Sequence, residues 1–285
     1  MNQNGYIGRK VRQPDLHKDA AIIILSFGTT TRGIAALALF RQRVAEVYPK
    51  RRILWAYTSA VIRRKTGDPS LHQALAQAEA ENFRKVIVQP LHIFPGTEYQ
   101  QIEETCSFFP GLRVFLGETL MHRWNHIEET VEILEKEFLP KELGLNLLVL
   151  HGTPLAADPV NIVYLGLDRL LGDRYPNVRT AAIEGVPDFA GLKQVLIRNR
   201  AQQRWPEIRL IPLLFMAGIH AEEDLMGDEE ESWKSELLAI GFKEVSCLTT
   251  VQNGKEYFKG LGYYPEIVEL YLHRLQRAVQ LSELY

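Results

Sequence analysis

The chain has 285 residues, enough to bury one large core or to divide into two domains. Its hydrophobic content of 46% and charged content of 24% are those of an ordinary globular protein. With 33 basic against 35 acidic residues the net charge is -2, which speaks against a general nucleic-acid or membrane surface.

Residues 1–19 are polar and basic, with no apolar stretch, and read as a loose tail rather than a signal peptide. No apolar run approaches the roughly eighteen residues of a membrane span. Cys106 and Cys247 lie far apart with no CxxC spacing, which fits a reducing cytoplasm. The structured chain opens with a continuous apolar run, Ala20 to Ser26, followed by Phe27-Gly28-Thr29. Ile34 to Tyr48 is helix-periodic and stopped by Pro49. Arg52 to Thr58 is strand-like, Leu71 to Phe83 helical, and Lys85 to Ile93 strand-like again. Glu98 to Phe109 reads as a helix, Leu112 to Leu116 as a short strand, and Arg123 to Phe138 as a long helix. Buried strands alternating with helices predict a mainly parallel sheet covered on both faces.

The pattern then restarts. Asn146 to Leu150 is apolar and runs into His151-Gly152-Thr153-Pro154. A helix over about 160–171 follows, then a strand from Val178 to Ile183 that ends at Glu184. Pro187 is placed to open the next helix at a first-turn position. Leu210 to Met216 is the third strand, and His220 comes directly after Ala217-Gly218. Ser232 to Ile240 is helical with Gly241 as its stop, Lys243 to Leu248 is a short strand, and residues 252–264 read as a Gly/Tyr-rich loop. Pro265 to Leu281 is the last helix.

The two halves can be laid on each other. Their first strands place Phe27 opposite His151, their second strands Ser59 opposite Glu184, and their third strands Glu98 opposite His220. The expected fold is therefore α/β: two similar Rossmann-like lobes, residues 20–141 and 142–285, each a mainly parallel sheet flanked by helices and related by internal duplication. In such sheets ligands bind outside the C-terminal strand ends. His151, Glu184, His220 and Glu98 all fall there. Two imidazoles and a carboxylate suit a divalent first-row metal with positions left open for exchange.

Other candidates are weaker. His92 ends a strand just before Glu98, where it lines the cleft or fills the core. His122 and His126 have i,i+4 spacing but lack the Glu of an HExxH motif, so a structural role is favoured. Asp228 to Glu231 suits a helix N-terminus. Arg63-Arg64-Lys65 is either a solvated cluster or a grip for substrate carboxylates. The chain has no GxxxxGK[ST] loop and no GxSxG elbow, and Gly260-Leu261-Gly262 lacks the third glycine of a dinucleotide fingerprint. No nucleotide cofactor is expected.

These residues resemble the CbiK-type sirohydrochlorin cobaltochelatases, the class II chelatases of anaerobic cobalamin synthesis. The likeness runs over roughly residues 20–280. It is carried by SFGT at Ser26–Thr29, YTSAVIRRK at Tyr57–Lys65, LHIFPGTEY at Leu91–Tyr99, the His151-Gly152 pair, AIEGVPD around Glu184, AGIHAEEDLMGDEEESWK at Ala217–Lys234 and GLGYYPEI at Gly260–Ile267. The resemblance implies two α/β lobes around a tetrapyrrole cleft, with the metal on His151, Glu184 and His220 and a cleft glutamate at Glu98. It also implies substrate contacts at Ser26, Phe27, Gly28, Thr29, His92, Arg63, Arg64 and Lys65. Two departures stand out: Leu150 replaces the first Gly of the family's GHG, and Ile219 stands where an Asp usually precedes the second histidine. The latter is expected to cost His220 a carboxylate neighbour.

The function implied is insertion of Co²⁺ into sirohydrochlorin, with His151, His220 and Glu98 as the catalytic groups and Phe27, Phe94 and Tyr57 as candidates to pack on the ring. An Fe²⁺ or Ni²⁺ chelatase on a related tetrapyrrole keeps the same fold, because ligand identity does not choose among these metals. A non-catalytic metal or tetrapyrrole carrier and a two-lobed small-molecule binding protein are the alternatives from other classes. The residues leave open whether the chain forms a homo-oligomer.

Overall fold

Six consecutive buried residues form β1 (Ala21–Ser26), a central strand of a four-stranded sheet. The computed structural model describes residues 15–28 and 33–285, so most of the expected tail and Thr29 of the expected substrate motif lie outside the described residues. After β1 come α1 (Ile34–Val47), β2 (Ile53–Tyr57), α2 (Ala60–Thr66), α3 (Leu71–Ala80), β3 (Lys85–Pro90), α4 (Thr97–Ser107), β4 (Arg113–Leu116) and α5 (Trp124–Leu134). The second half runs β5 (Gly144–Gly152), α6 (Val160–Arg174), β6 (Val178–Glu184), α7 (Phe189–Arg198), α8 (Ala201–Arg204), β7 (Glu207–Pro212), α9 (Trp233–Ala239) and β8 (Glu244–Cys247). A hairpin of β9 (Thr249–Gln252) and β10 (Lys255–Phe258) precedes α10 (Pro265–Leu284).

The two sheets have the same order, β2-β1-β3-β4 and β6-β5-β7-β8, and every pairing within them is parallel. Their registers also correspond. Leu25 pairs with Pro90 in the first sheet, as Val149 pairs with Pro212 in the second. The duplication expected from the sequence is thus present in strand order and register together.

Period-two alternation divides the core into layers. Ala21, Ile23 and Leu25 point to an outer layer beneath α3, and Leu145, Leu147 and Val149 point to the matching layer beneath α7 and α9. Ile22 and Ile24 join Leu148 and Leu150 in one inner layer with residues of α1, α5, α6 and α10. Burying each such Leu or Ile contributes roughly 1.5–3 kcal/mol relative to exposure. The inner layer is shared by both sheets, so it holds the lobes against each other.

Four details differ from the sequence reading. The third strand of the second half stops at Pro212, and Leu213 to Met216 continue as buried irregular chain. The carbonyls of Leu214 and Phe215 accept from the amides of Leu261 and Gly262, which takes them away from the sheet. A Cβ at Gly260 would come within 2.6 Å of the Ala217 nitrogen, so the close crossing there requires glycine. Pro187 does not open α7; Asp188 caps it, accepting from Gly191 N at 2.5 Å, while the Pro187 carbonyl accepts from Ala182 N. Within the expected 252–264 loop, Gln252 and Lys255–Phe258 are hairpin strand.

The fourth difference is topological. α10 follows the second sheet in sequence but packs on β3 and β4 of the first, and the Tyr271 hydroxyl donates to the Leu91 carbonyl at 3.0 Å. Among the described residues no helix is long and apolar enough to cross a membrane.

Candidate active site

β5 and β6 run side by side to their C-terminal ends, where Gly152 is registered with Glu184. His151 and Glu184 therefore emerge next to each other, and both are exposed. The two strand ends are held close together. Thr153 N donates to the Glu184 carbonyl at 3.0 Å, and Gly152 and Gly185 both lie in the left-handed region, at φ +81° and +79°.

His220 arrives by a different route. It stands eight residues beyond the end of β7, in a helical turn that widens into a π-type turn over Ala221–Leu225. Gly218 O accepts from Ala221 N and Glu222 N to start that turn. The rings of His151 and His220 meet edge to face, with centroids 5.0 Å apart. Each ring has its Nδ1 in contact with the protein: His151 at 3.2 Å from the Gly152 carbonyl, and His220 at 2.6 Å from Asp224 Oδ2. In the tautomers that donate from Nδ1, both Nε2 lone pairs are left for a ligand.

Asp224 is the residue that the sequence reading missed. Ile219 was expected to deprive His220 of a carboxylate neighbour, yet Asp224 supplies one from the other side. The signal was present: Asp224 is four residues after His220, and i,i+4 residues share a face of a helical turn. An imidazole held by a carboxylate is fixed in orientation and made more basic towards a metal.

The first lobe contributes Glu98, in the first turn of α4. Asp158 sets its position. Asp158 is 9% exposed, and its Oδ1 accepts from Thr97 N at 3.1 Å and from Val160 N at 3.0 Å. One carboxylate thus caps α4 of the first lobe and holds the start of α6 of the second. Asp158 was also missed, and no spacing rule marks it because its two partners lie on different halves. Burial pushes the Glu98 carboxyl up, but contact with His92 and the charges of His92 and His151 outweigh it and hold the group below the usual carboxylate range.

The remaining expected residues separate by burial. Phe27 is 48% exposed, with its ring centroid 6.5 Å from that of His151. Tyr57 and Ser26 are buried: Tyr57 accepts from Arg41 through its hydroxyl at 2.5 Å, and Ser26 Oγ accepts from Gly28 N at 3.3 Å. Both serve the fold at that turn, and Gly28 takes φ +97° there. Phe94 packs against Tyr164 with centroids 5.0 Å apart. Arg63, Arg64 and Lys65 occupy the last turn of α2, Arg64 and Lys65 exposed and Arg63 half-buried with no partner for its Nε among the described residues. Exposed Val61 on α2, and exposed Ile219 beside His220, add apolar surface.

His122 and His126 are not a pair on one helix, because α5 begins at Trp124 and leaves His122 in the preceding turn. His122 packs on Tyr99 and His126 is buried near Glu118. Desolvation lowers the pKa of both, which suits neutral structural imidazoles. Asp228 to Glu231 are exposed just before α9, where Asp228 pairs with Lys234 at 2.9 Å.

Among the described residues no three His, Cys, Asp or Glu side chains already stand together as a closed metal site. What the fold presents is a facing histidine pair with Glu184 on the adjoining strand end. A half-open set of this kind suits a metal that must be exchanged better than a permanent structural ion.

The comparisons point the same way. A sirohydrochlorin cobaltochelatase of Salmonella typhimurium is 27% identical over 274 residues, covering 92% of this chain and 97% of the relative. The sirohydrochlorin cobaltochelatase CbiKC of Nitratidesulfovibrio vulgaris is 28% identical over 270 residues, covering 90% of each chain. In three dimensions the chain is similar to SirB from Bacillus subtilis, solved with Fe³⁺, at a TM-score of 0.59 and 14% identity, over 93% of this chain and 97% of that one. That likeness is one of fold. The sequence model described as cobalt chelatase (CbiK) matches residues 20–280, nearly all of the two-lobed structure, and the chain belongs to that family.

Proposed function

We propose that the chain carries out its family's reaction, insertion of Co²⁺ into sirohydrochlorin, in the cleft above the strand ends, with His151, Glu184 and His220 receiving the metal and Glu98 accepting pyrrole protons. The reaction is that for which both curated relatives are named, and it belongs to cobalamin biosynthesis. Cobalt and the tetrapyrrole are both substrates.

The observation that carries the site assignment is the His151–His220 pair. The two rings come from distant parts of the chain, face each other at 5.0 Å, and each contacts a protein oxygen through Nδ1. A packing role alone gives no reason for two exposed or half-exposed imidazoles to meet at the ends of the second sheet.

The chemistry follows from the groups available. Insertion breaks two pyrrole N–H bonds, forms the metal–nitrogen bonds and releases two protons, with no change in oxidation state. The Nε2 atoms of His151 and His220 take up hydrated Co²⁺, and Glu184 on the next strand end neutralises part of its charge. Water and protein ligands are then exchanged for ring nitrogens. Glu98, held ionised at neutral pH, is the acceptor from the first lobe. Phe27 and Val61 offer apolar contact to the macrocycle, and Arg64 and Lys65 offer charge to its carboxylates. No step calls for a nucleotide.

The test is anaerobic insertion with purified protein, followed by absorbance of the product. His151→Ala and His220→Ala are each expected to lower the rate at least tenfold, since each removes one of the metal's nitrogen donors. Variants as fast as wild type would remove both residues from the site. Competition among Co²⁺, Fe²⁺ and Ni²⁺ in the same assay separates the metals, which the ligand set does not.

A further inference from the structure

His92 lies on the first-lobe side of the cleft, and its surroundings give it a role different from substrate contact. Its side chain is only 9% exposed, whereas that of Glu98 is 52% exposed. Glu98 therefore faces the cleft and His92 stands behind it. Their closest approach is His92 Nε2 to Glu98 Oε2, 3.0 Å. The backbone of His92 is anchored, with its carbonyl accepting from Leu120 N at 3.1 Å and from the Tyr271 hydroxyl at 3.2 Å. Among the described residues, neither ring nitrogen has an aligned hydrogen-bond partner. Glu98 is, among the described residues, the carboxylate that the buried ring approaches as an ion-pair partner. An imidazole buried with so little polar compensation is costly for packing alone. Catalytic contacts in the free protein are commonly misaligned in this way and tighten when substrate is bound.

The reaction supplies a reason. Insertion releases two protons, and Glu98 is a single carboxylate on the face of the cleft. Once it has taken the first proton it can no longer accept the second. Imidazole is ordinarily a stronger base than a carboxylate, so a proton on Glu98 moves downhill to an adjacent neutral ring.

We propose that His92 is a proton relay that empties Glu98 between the two deprotonations. In the first step a pyrrole N–H gives its proton to Glu98, which passes it to His92 Nε2. The carboxylate is then restored, beside an imidazolium, and takes the second proton. Both protons leave to water after the product does, and no electrons are transferred. The charged and titratable groups around this pair are Glu98 on α4, His151 on β5, Asp158 in the loop after β5 and Tyr271 on α10. The inference rests on the proposed reaction, because it assigns the second of that reaction's two protons.

The test is a double-mutant cycle of His92→Gln and Glu98→Gln, read by anaerobic Co²⁺ insertion. Gln at 92 can still donate a hydrogen bond to Glu98 but cannot hold a proton. His92→Gln is expected to lower kcat roughly 100-fold, the lower end of general-base contributions. KM for sirohydrochlorin and the affinity for Co²⁺ should stay within twofold of wild type. In the Glu98→Gln background the further loss should be less than threefold, because a relay has nothing to empty. Independent, multiplicative losses, a raised KM with kcat intact, or a His92→Gln variant at wild-type rate would each overturn the relay. Circular dichroism establishes that the variants are folded. If the wild-type protein inserts no cobalt, the reaction assignment itself has failed; if it inserts cobalt and only these results fail, the relay alone is wrong.

Discussion

Substituting Gly152 with alanine is expected to disrupt the cleft although no proposed ligand is removed. Gly152 has φ +81°, a conformation that costs an L-residue about 1–2 kcal/mol. A Cβ built there lies 1.7 Å from the Glu184 carbonyl oxygen and 2.9 Å from the Ala182 Cβ. The first of these is backbone on the paired strand, so no rotamer change relieves it; β5 and β6 must part. Parting breaks the Thr153 N to Glu184 O bond, worth about 1 kcal/mol, and overpacking strain adds about 1–3 kcal/mol more. The total, about 3–6 kcal/mol, is a large share of a typical folding free energy of about 5–15 kcal/mol. Denaturation in urea should show the loss as a lower midpoint. Cobalt titration of the folded protein should show weakened binding, because His151 and Glu184 flank the displaced backbone. Gly172→Ala is the control: a Cβ there meets nothing within 4 Å, and a helical Gly→Ala change stabilises by up to about 1 kcal/mol. A Gly152→Ala protein with wild-type midpoint and wild-type cobalt affinity would refute the reasoning.

Asp224→Asn should weaken Co²⁺ binding about tenfold, the lower end of such outer-ligand effects, because both Asp224 and His220 are partly exposed; calorimetric titration measures it, and an unchanged Kd would detach Asp224 from the site. Asn146 is fully buried and accepts from the Leu139 amide at 2.7 Å, so Asn146→Leu should cost about 1–3 kcal/mol by leaving that amide unpaired, while the Leu139 carbonyl keeps its bond from Asn177 at 2.8 Å; the loss is read as a fall in the urea midpoint. The Arg52 guanidinium grips Glu81 with two bonds of 2.7 Å and lowers its carboxyl to about 2. The folded pKa is depressed, so this contribution is complete above the ordinary carboxylate value of 4.5 and is lost as pH falls towards 2. With Arg52 42% and Glu81 32% exposed, it amounts to no more than about 1 kcal/mol after solvent screening. Melting curves should therefore show wild type and Glu81→Gln differing at pH 6 and converging near pH 2.5; a constant difference would contradict it.

The sheets were legible because their strands are continuous apolar runs, and the duplication was legible because Pro90 and Pro212, and Gly96 and Gly218, repeat within those runs. His151 and Glu184 could be placed since each ends a strand, and strand ends define the binding edge of such sheets. His220 was placed for a partly mistaken reason. It does not end β7; buried irregular chain delivers it, and that path depends on amides near Gly260 that are remote in sequence. Asp158 escaped notice because a residue that bridges two lobes leaves no periodic trace. Ser26 was expected at the substrate surface, yet motif membership carries no information on burial, and it is buried; Tyr57, for which ring packing and core packing were equally open, is buried too. α2 was not foreseen, as its seven residues bury none of their side chains and so show no apolar stripe.

The crossing of α10 onto the first sheet changes what counts as a folding unit. α5, the last helix of the first half, lies in turn along α6 of the second: Arg174 pairs with Glu128, and the Trp124 ring approaches Gly166. The second half therefore lends its terminal helix to the first, and α5 touches both α10 and α6 across the boundary. A chain severed in the connection between α5 and β5 should yield two pieces that are unstable apart and reassemble when mixed.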